Sequence, residues 1–411
     1  MRISNFDIKN FLIAILLVLP SYAFVPLSAY LLLIPLLIKK DTKLDFNFYI
    51  ILLIVLLCAI NQVVNLIVVL RDFKYGSLVP YTVFMVISYL FGKNADIRVF
   101  YYVLIFISVE VFVGMLQYTM EVKSFFPSIS QHITGEAPFG YKGLIYYKRV
   151  AGLSPNSSSF AYKICIGILL LYFLKLKGRK LWMYGTIFTI GLVITFTRSV
   201  ILTVLLFLFL INIPQVKRFA NDLLSKKFKV LYMLFALGLF IVGLTIFASW
   251  EELYYQLNRG MEDADLSQRD VVLSHYYQFV KDNPYFGNGS YKLWMNINGE
   301  LFHGHNSFLQ TFATNGIFIG LIFVYLVFRN LNRYNFYYII PILIFSLFQY
   351  VIFWGVSFMD LMFFYFLFTN KERLLEEKLL IEETAEEDQS EMDIKDSELV
   401  QLGKSQTLRE T

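Results

Sequence analysis

Apolar residues occupy this chain in long blocks separated by short polar or basic connections, and the blocks have the length of membrane-crossing helices. A span needs roughly 20 residues, somewhat fewer inside a bundle, and about twelve segments qualify. They lie at 11–23, 24–38, 46–70, 78–92, 97–120, 158–174, 181–196, 199–213, 230–249, 306–328, 336–353 and 356–368. Pro20 and Pro26 leave the first pair open to a second reading, as one kinked segment. Between the spans stand two larger polar loops, 121–156 and 250–305.

Composition agrees with this pattern. Hydrophobic residues make up 57% of the chain and charged residues 16%, which excludes an ordinary soluble domain of this length. The expected fold is an all-α polytopic membrane protein, with a membrane domain at 1–369 and a separate tail at 370–411. In the tail, Glu376, Glu377, Glu382, Glu383, Glu386, Glu387, Asp388 and Glu391 read as a solvated extension that is either solubilising or an interaction segment. Arg2 and Lys9 precede the first apolar run without a small-residue cleavage site, so that run is expected to be retained. Cys58 and Cys165 fall inside spans and offer neither a disulfide framework nor a Cys-based metal site.

Charge orients the spans. Lys39, Lys40 and Lys43; Lys93 and Arg98; Lys175, Lys177, Arg179 and Lys180; Lys217, Arg218, Lys226, Lys227 and Lys229; Arg329 and Arg333; and Lys371 and Arg373 occupy alternate connections. Lys and Arg mark cytoplasmic loops, so both termini are expected in the cytoplasm and loops 121–156 and 250–305 outside.

The chemistry collects on the outer side of that map. Thr197-Arg198-Ser199 forms a tight turn, with Arg198 in the first turn of the returning helix. A helix N-terminus carries unpaired N–H groups and partial positive charge, and a guanidinium adds a bidentate fork for phosphate oxygens; the alternative is an Arg snorkelling to the interface. Lys142, Lys148 and Arg149 precede Gly152-Leu-Ser-Pro155-Asn156, a helix start. External basic residues gain nothing from the positive-inside rule, so Lys148 and Arg149 read as phosphate contacts. Arg259, and Arg269 in the capping box Ser267-Gln-Arg269-Asp270, lead into an interfacial helix that contains His275 and stops at Asn283-Pro284. Asp263-Ala-Asp265 has the form of a metal-binding acidic pair, on the side where nucleotide sugars are not expected. Glu110 and Lys163 are charges within spans, with a structural or a functional role as partners.

Two of the four histidines, His303 and His305, stand at the mouth of the 306–328 span. The positive end of a helix dipole favours the neutral imidazole, which suits His305 to accept a proton. With Glu300 or His275 the pair could instead hold a metal, but no third ligand has a diagnostic spacing, and no metal or cofactor is expected.

In His305-Asn306 followed by Gly316, in Thr197-Arg198-Ser199, and in Arg269 ahead of Asn283-Pro284-Tyr-Phe-Gly287-Asn-Gly289, the sequence resembles the bacterial O-antigen polymerase and O-antigen ligase superfamily. The resemblance runs from about 152 to 320. It departs at Ile319, where the ligases often have Gly, Thr or Tyr, with Gly320 following. The resemblance implies a GT-C-like inverting glycosyltransferase at the outer face of the bacterial cytoplasmic membrane, acting on sugars carried by undecaprenyl diphosphate. Arg198 and Arg269, then Arg149 and Arg259, would hold the diphosphate; His305 would be the base; His303 and Asn306 would orient it or the sugar. The expected partners are lipid-linked glycan donor and acceptor, membrane lipids and a chain-length regulator, with no nucleic acid. Polymerase is the leading reading. The alternatives are a ligase that transfers to lipid A core and a flippase or other transporter, which would show related halves and midplane polar groups.

Overall fold

The computed structural model describes residues 7–39, 44–67, 75–122, 124–126, 149–195, 197–214, 269–289, 293–297, 300–353 and 357–370. The expected span 230–249, the acidic pair Asp263 and Asp265, Arg259, Lys142, Lys148 and residues 371–411 lie outside the described residues.

The helices are α1 Ile8–Val18, α2 Leu33–Leu37, α3 Phe46–Ile67, α4 Tyr75–Asn94, α5 Val99–Thr119, α6 Ser157–Phe173, α7 Gly178–Thr195, α8 Arg198–Ile211 and α9 Arg269–Asp282. A two-stranded antiparallel hairpin follows, β1 Met295–Ile297 and β2 Glu300–Phe302, then α10 Ser307–Asn315, α11 Ile317–Asn330, α12 Phe336–Ser346 and α13 Phe358–Leu367.

Every residue of α13 is buried, as expected of a helix that is apolar on all sides, and it packs on α4, α6 and α12. Its start is a reciprocal cap: Asp360 N–H donates to Ser357 Oγ (3.0 Å), while Ser357 Oγ–H donates to Asp360 Oδ2 (2.9 Å). Outer helices show the reverse pattern. Leu52, Leu56, Ile60, Val63 and Ile67 on α3, Ile105, Val109, Phe112 and Leu116 on α5, Leu202, Leu205 and Phe209 on α8, and Phe318, Leu321, Tyr325 and Phe328 on α11 are all exposed. Their helical spacing makes continuous apolar stripes, a surface that water would not tolerate and lipid would cover.

Among the described residues, Phe46–Ile67 and Val99–Thr119 are long and apolar enough to cross a membrane, while other apolar helices have 10–17 residues. Of the expected spans, these two are clear candidates among the described residues, and the other apolar helices are shorter. The N-terminal pair keeps its division, and two other spans differ from expectation for visible causes. The N-terminal pair is two segments: the chain reverses after Pro20, and Tyr30 Oη–H donates to the Leu17 carbonyl across the turn (3.3 Å). The expected span 306–328 is two helices, because Gly316 breaks it with φ 81°. The expected span 336–353 ends as a helix at Ser346, and 347–353 is irregular. From Gln349 to Phe353 that stretch is buried, where protein rather than lipid surrounds non-helical backbone.

Hydrogen bonds sort the connections into two ends. At the basic end Asp7 pairs with Arg98 (3.8 Å), Lys93 with Asp45 (2.5 Å), Asn47 with Asn330, Asn94 with the Leu37 carbonyl and Asn332 with the Thr369 carbonyl. Burial alone would raise the Asp96 carboxyl, but the bonds from Arg98 hold it below its ordinary value. At the opposite end Ala23 meets Leu153, Arg149 meets Thr195, and Asn306 meets Leu347. This second, histidine end carries its own small core of Val272, Tyr276, Leu293, Ile297 and Ala313, separate from that of the bundle.

Candidate functional site

The histidine end is assembled from three pieces. The first is the turn between α7 and α8. Residues 149–150 cap the C-terminus of α7: Arg149 Nε donates to the Thr195 carbonyl (3.2 Å), and Val150 N–H to that of Ile194 (3.3 Å). Arg198 opens α8 immediately afterwards, half-buried, with Thr197 as the capping residue. Two expected phosphate-binding arginines, distant in sequence, are thus brought to one turn.

Beneath them lies the Glu110–Lys163 pair, at 2.7 Å and almost without exposure. Glu110 Oε1 also accepts from Ser154 Oγ (2.7 Å) and Leu153 N–H (3.2 Å), and Lys163 Nζ sits 4.3 Å above the Tyr22 ring. The intramembrane charges suspected from sequence are partners, and what they hold is the 152–154 segment that follows Arg149. Gln117 fastens the same segment, donating to the Gly152 carbonyl and accepting from Gly152 N–H.

The second piece is the histidine segment. Asn306 caps α10, accepting from Leu309 N–H (2.9 Å), and its amide donates to the Leu347 carbonyl (3.1 Å). Ser307 Oγ–H donates to the Gln349 carbonyl and Oγ accepts from Val351 and Ile352 N–H. Together they clip the irregular 347–353 stretch against the start of α10. Both ends of the Asn306 side chain are thereby engaged. His305 has φ 43°, a left-handed conformation that His tolerates better than branched residues do. Its N–H donates to His303 Nδ1 (3.3 Å), and the two rings lie 4.2 Å apart between centroids. Since His303 Nδ1 accepts that bond, the neutral His303 ring carries its proton on Nε2.

The third piece is α9 with the hairpin. Tyr276 Oη–H reaches the carbonyls of Leu293 (2.6 Å) and Phe302 (3.2 Å), closing the hairpin against α9. Burial pushes the Tyr276 phenol above its ordinary range, so it remains a donor at neutral pH. Gln310 spans the gap, donating to the Leu293 carbonyl (2.9 Å) and accepting from Gly304 N–H (2.7 Å). A Cβ at Gly304 would stand 2.8 Å from that Gln310 oxygen and 3.2 Å from the Tyr276 ring, which explains a glycine between the histidines. Ser307, Gln310 and Tyr276 escaped the sequence reading; a run of buried amides and hydroxyls opening an apolar block was their one signal.

The backbone of Arg269 begins α9 at this end. His275 is exposed, and its Nδ1–H donates to the Val271 carbonyl (2.8 Å), a local helix contact away from the histidine pair. Among the described residues no group of three or more His, Cys, Asp or Glu gathers as a metal site. The α9 end is fixed to the bundle by α3: Asn61 donates to the carbonyls of Phe286 (2.8 Å) and Asn315 (3.1 Å), and Gln62 to that of Gly289.

Lipid-facing stripes and a polar, imidazole-bearing end together define a helical membrane protein with its chemistry at one margin of the bundle. Residues 183–325 match the family model described as O-antigen ligase, a segment that contains Arg198, Arg269, His303 and His305. Over that stretch, about a third of the chain, the sequence is similar to the O-antigen ligase family, whose members are glycosyl-transfer enzymes of the membrane. No curated protein and no solved structure matches the chain.

Proposed function

We propose that this protein polymerises oligosaccharide repeat units carried on undecaprenyl diphosphate, at the outer face of the bacterial cytoplasmic membrane. The observation that supports the reading is that the Arg149–Arg198 turn and the His303–His305 pair each lie at helix ends away from the basic connections. The basic end, rich in Lys and Arg, is then cytoplasmic.

In this reaction an acceptor hydroxyl attacks the anomeric carbon of the donor sugar from the face opposite the diphosphate, inverting that centre. The new C–O bond forms as the bond to the diphosphate oxygen breaks and its electron pair leaves with the diphosphate. His305 takes the hydroxyl proton, and His303 and Asn306 fix its placement. Arg198 and Arg149, with Arg269 and Arg259 from the second loop, stabilise the charge that develops on the departing diphosphate. Fixed guanidinium groups at a helix start perform this without having to reorganise.

The test is reconstitution of the purified chain in vesicles with undecaprenyl-diphosphate-linked repeat units, followed by gel analysis of glycan length. A ladder of longer lipid-linked products is expected, and a full ladder from His305→Ala at normal abundance would overturn the assignment. The family match is equally compatible with a second reading, transfer of finished polysaccharide to lipid A core. Supplying that acceptor separates the two: a ligase makes one lipid A-linked product and no ladder.

A further inference from the structure

We infer that the outward face of the β1–β2 hairpin is a saccharide platform, on which a pyranose ring of the glycan lies against Trp294 beside the histidine pair. The inference rests on the glycosyl-transfer reading of that pair and adds to it where the sugar is held.

The register carries the argument. Met295 pairs with Phe302 and Asn296 with Leu301, so the next opposed positions are Trp294 and His303. Strand residues alternate faces. Met295, Ile297 and Phe302 turn into the small core with Val272 and Tyr276, which leaves Trp294, Asn296, Leu301 and His303 on the opposite face. Of these, Leu301 is 65% exposed and Trp294 46% exposed. The indole is not adrift: its ring stands 5.5 Å from the His303 imidazole at 83°, and His303 is backed by Tyr350 at 6.1 Å.

A half-exposed indole with its orientation fixed on one side loses little freedom when a ligand covers it. Its negative π face attracts the weakly positive C–H bonds of a sugar ring, while Asn296 and His303 are of the kind that hydrogen-bond hydroxyls. With His305 a further 4.2 Å from His303, a sugar on the indole adjoins the one whose reacting atom meets His305. A tryptophan near a membrane end can also serve as a lipid-headgroup anchor. The hairpin's place on the small core, apart from the lipid-facing stripes, and its polar neighbours favour the sugar.

The test uses the full chain in lipid nanodiscs with Trp182, Trp250 and Trp354 replaced by Phe, leaving Trp294 as the sole indole. The probe is the water-soluble oligosaccharide released by mild acid from undecaprenyl-diphosphate-linked repeat units. A saturable change in Trp294 emission is expected, together with little quenching by brominated phospholipid. In the unaltered chain, oxidation of Trp294 by N-bromosuccinimide, read by peptide mass spectrometry, is expected to slow several-fold with oligosaccharide; this reads the same contact should the triple variant fail to accumulate. In the polymerisation assay Trp294→Ala is expected to raise KM about tenfold with a smaller change in kcat, and Trp294→Phe to recover most of it. Emission and oxidation that ignore the oligosaccharide, or strong quenching by brominated lipid alone, would overturn the platform. Saccharide-dependent emission in a chain that makes neither polymer nor ligated product would overturn the transferase reading and leave the platform standing.

Discussion

His305 is held in a left-handed backbone conformation between a glycine that must be small and an asparagine that caps the next helix, so its environment constrains replacement as much as its chemistry does. Asn tolerates that conformation, whereas a β-branched residue does not. His305→Asn is therefore expected to accumulate and fold normally while losing about 10²- to 10⁴-fold in polymerisation rate, the usual contribution of a general base. Size-exclusion chromatography beside the ladder assay checks both halves; normal turnover by the folded variant would remove His305 from the mechanism. Gln310 acts one step back. Gln310→Leu strands the buried Gly304 N–H and removes a donor from the Leu293 carbonyl, at a cost of about 1–3 kcal/mol. Thermal unfolding in detergent is expected to register that loss as a lower midpoint, together with reduced kcat as the histidine segment loosens.

At the scale of elements, the joint between α10 and α11 sets the depth of the site. Had 306–328 been one helix, α10 would have entered the bundle; instead Gly316 turns the chain, and Ala313 of α10 joins the small core with α9 and the hairpin. Gly316 cannot be replaced cheaply. Its φ of 81° is strained for any L side chain, and a Cβ there would overlap the Tyr285 carbonyl. Gly316→Ala is expected to lower abundance sharply, with left-handed strain alone worth about 1–2 kcal/mol; quantitative immunoblotting of membranes reads the effect. Gly320 has a related role, since a Cβ there would run into the Phe312 ring, so the glycine that follows Ile319 keeps α10 against α11.

At the scale of the whole molecule, two charge patterns organise the chain. The buried Glu110–Lys163 pair joins α5 to α6 and suspends the 152–154 segment. Removing one partner leaves the other charge uncompensated, so Glu110→Ala or Lys163→Met alone is expected to destabilise by about 3–5 kcal/mol, and the double variant Glu110→Leu/Lys163→Met by less. Additive losses in thermal unfolding would show that the two do not act as a pair. The second pattern is the division into a basic end and a histidine end. In intact cells Leu301→Cys is expected to react with an impermeant maleimide and Arg333→Cys only after permeabilisation. Buried Cys58 and Cys165 keep the background low. The opposite labelling would place the histidines in the cytoplasm and remove access to an external acceptor.

The alternation of apolar blocks and basic connections was enough to determine a helical membrane protein, because burial in lipid acts on composition and order alone. One cap was legible too: Asn156 acts within its own helical turn. What only the tertiary structure decided depends on contacts between distant segments. The break at Gly316 answers to the Tyr285 carbonyl, Gly304 to Tyr276 and Gln310, and Trp294 meets His303 through a strand register that three-residue strands scarcely announce. Blocks of hydrophobicity report how much chain can be buried; the steric fit of one backbone against another determined where the helices stop and which side chains the histidines face.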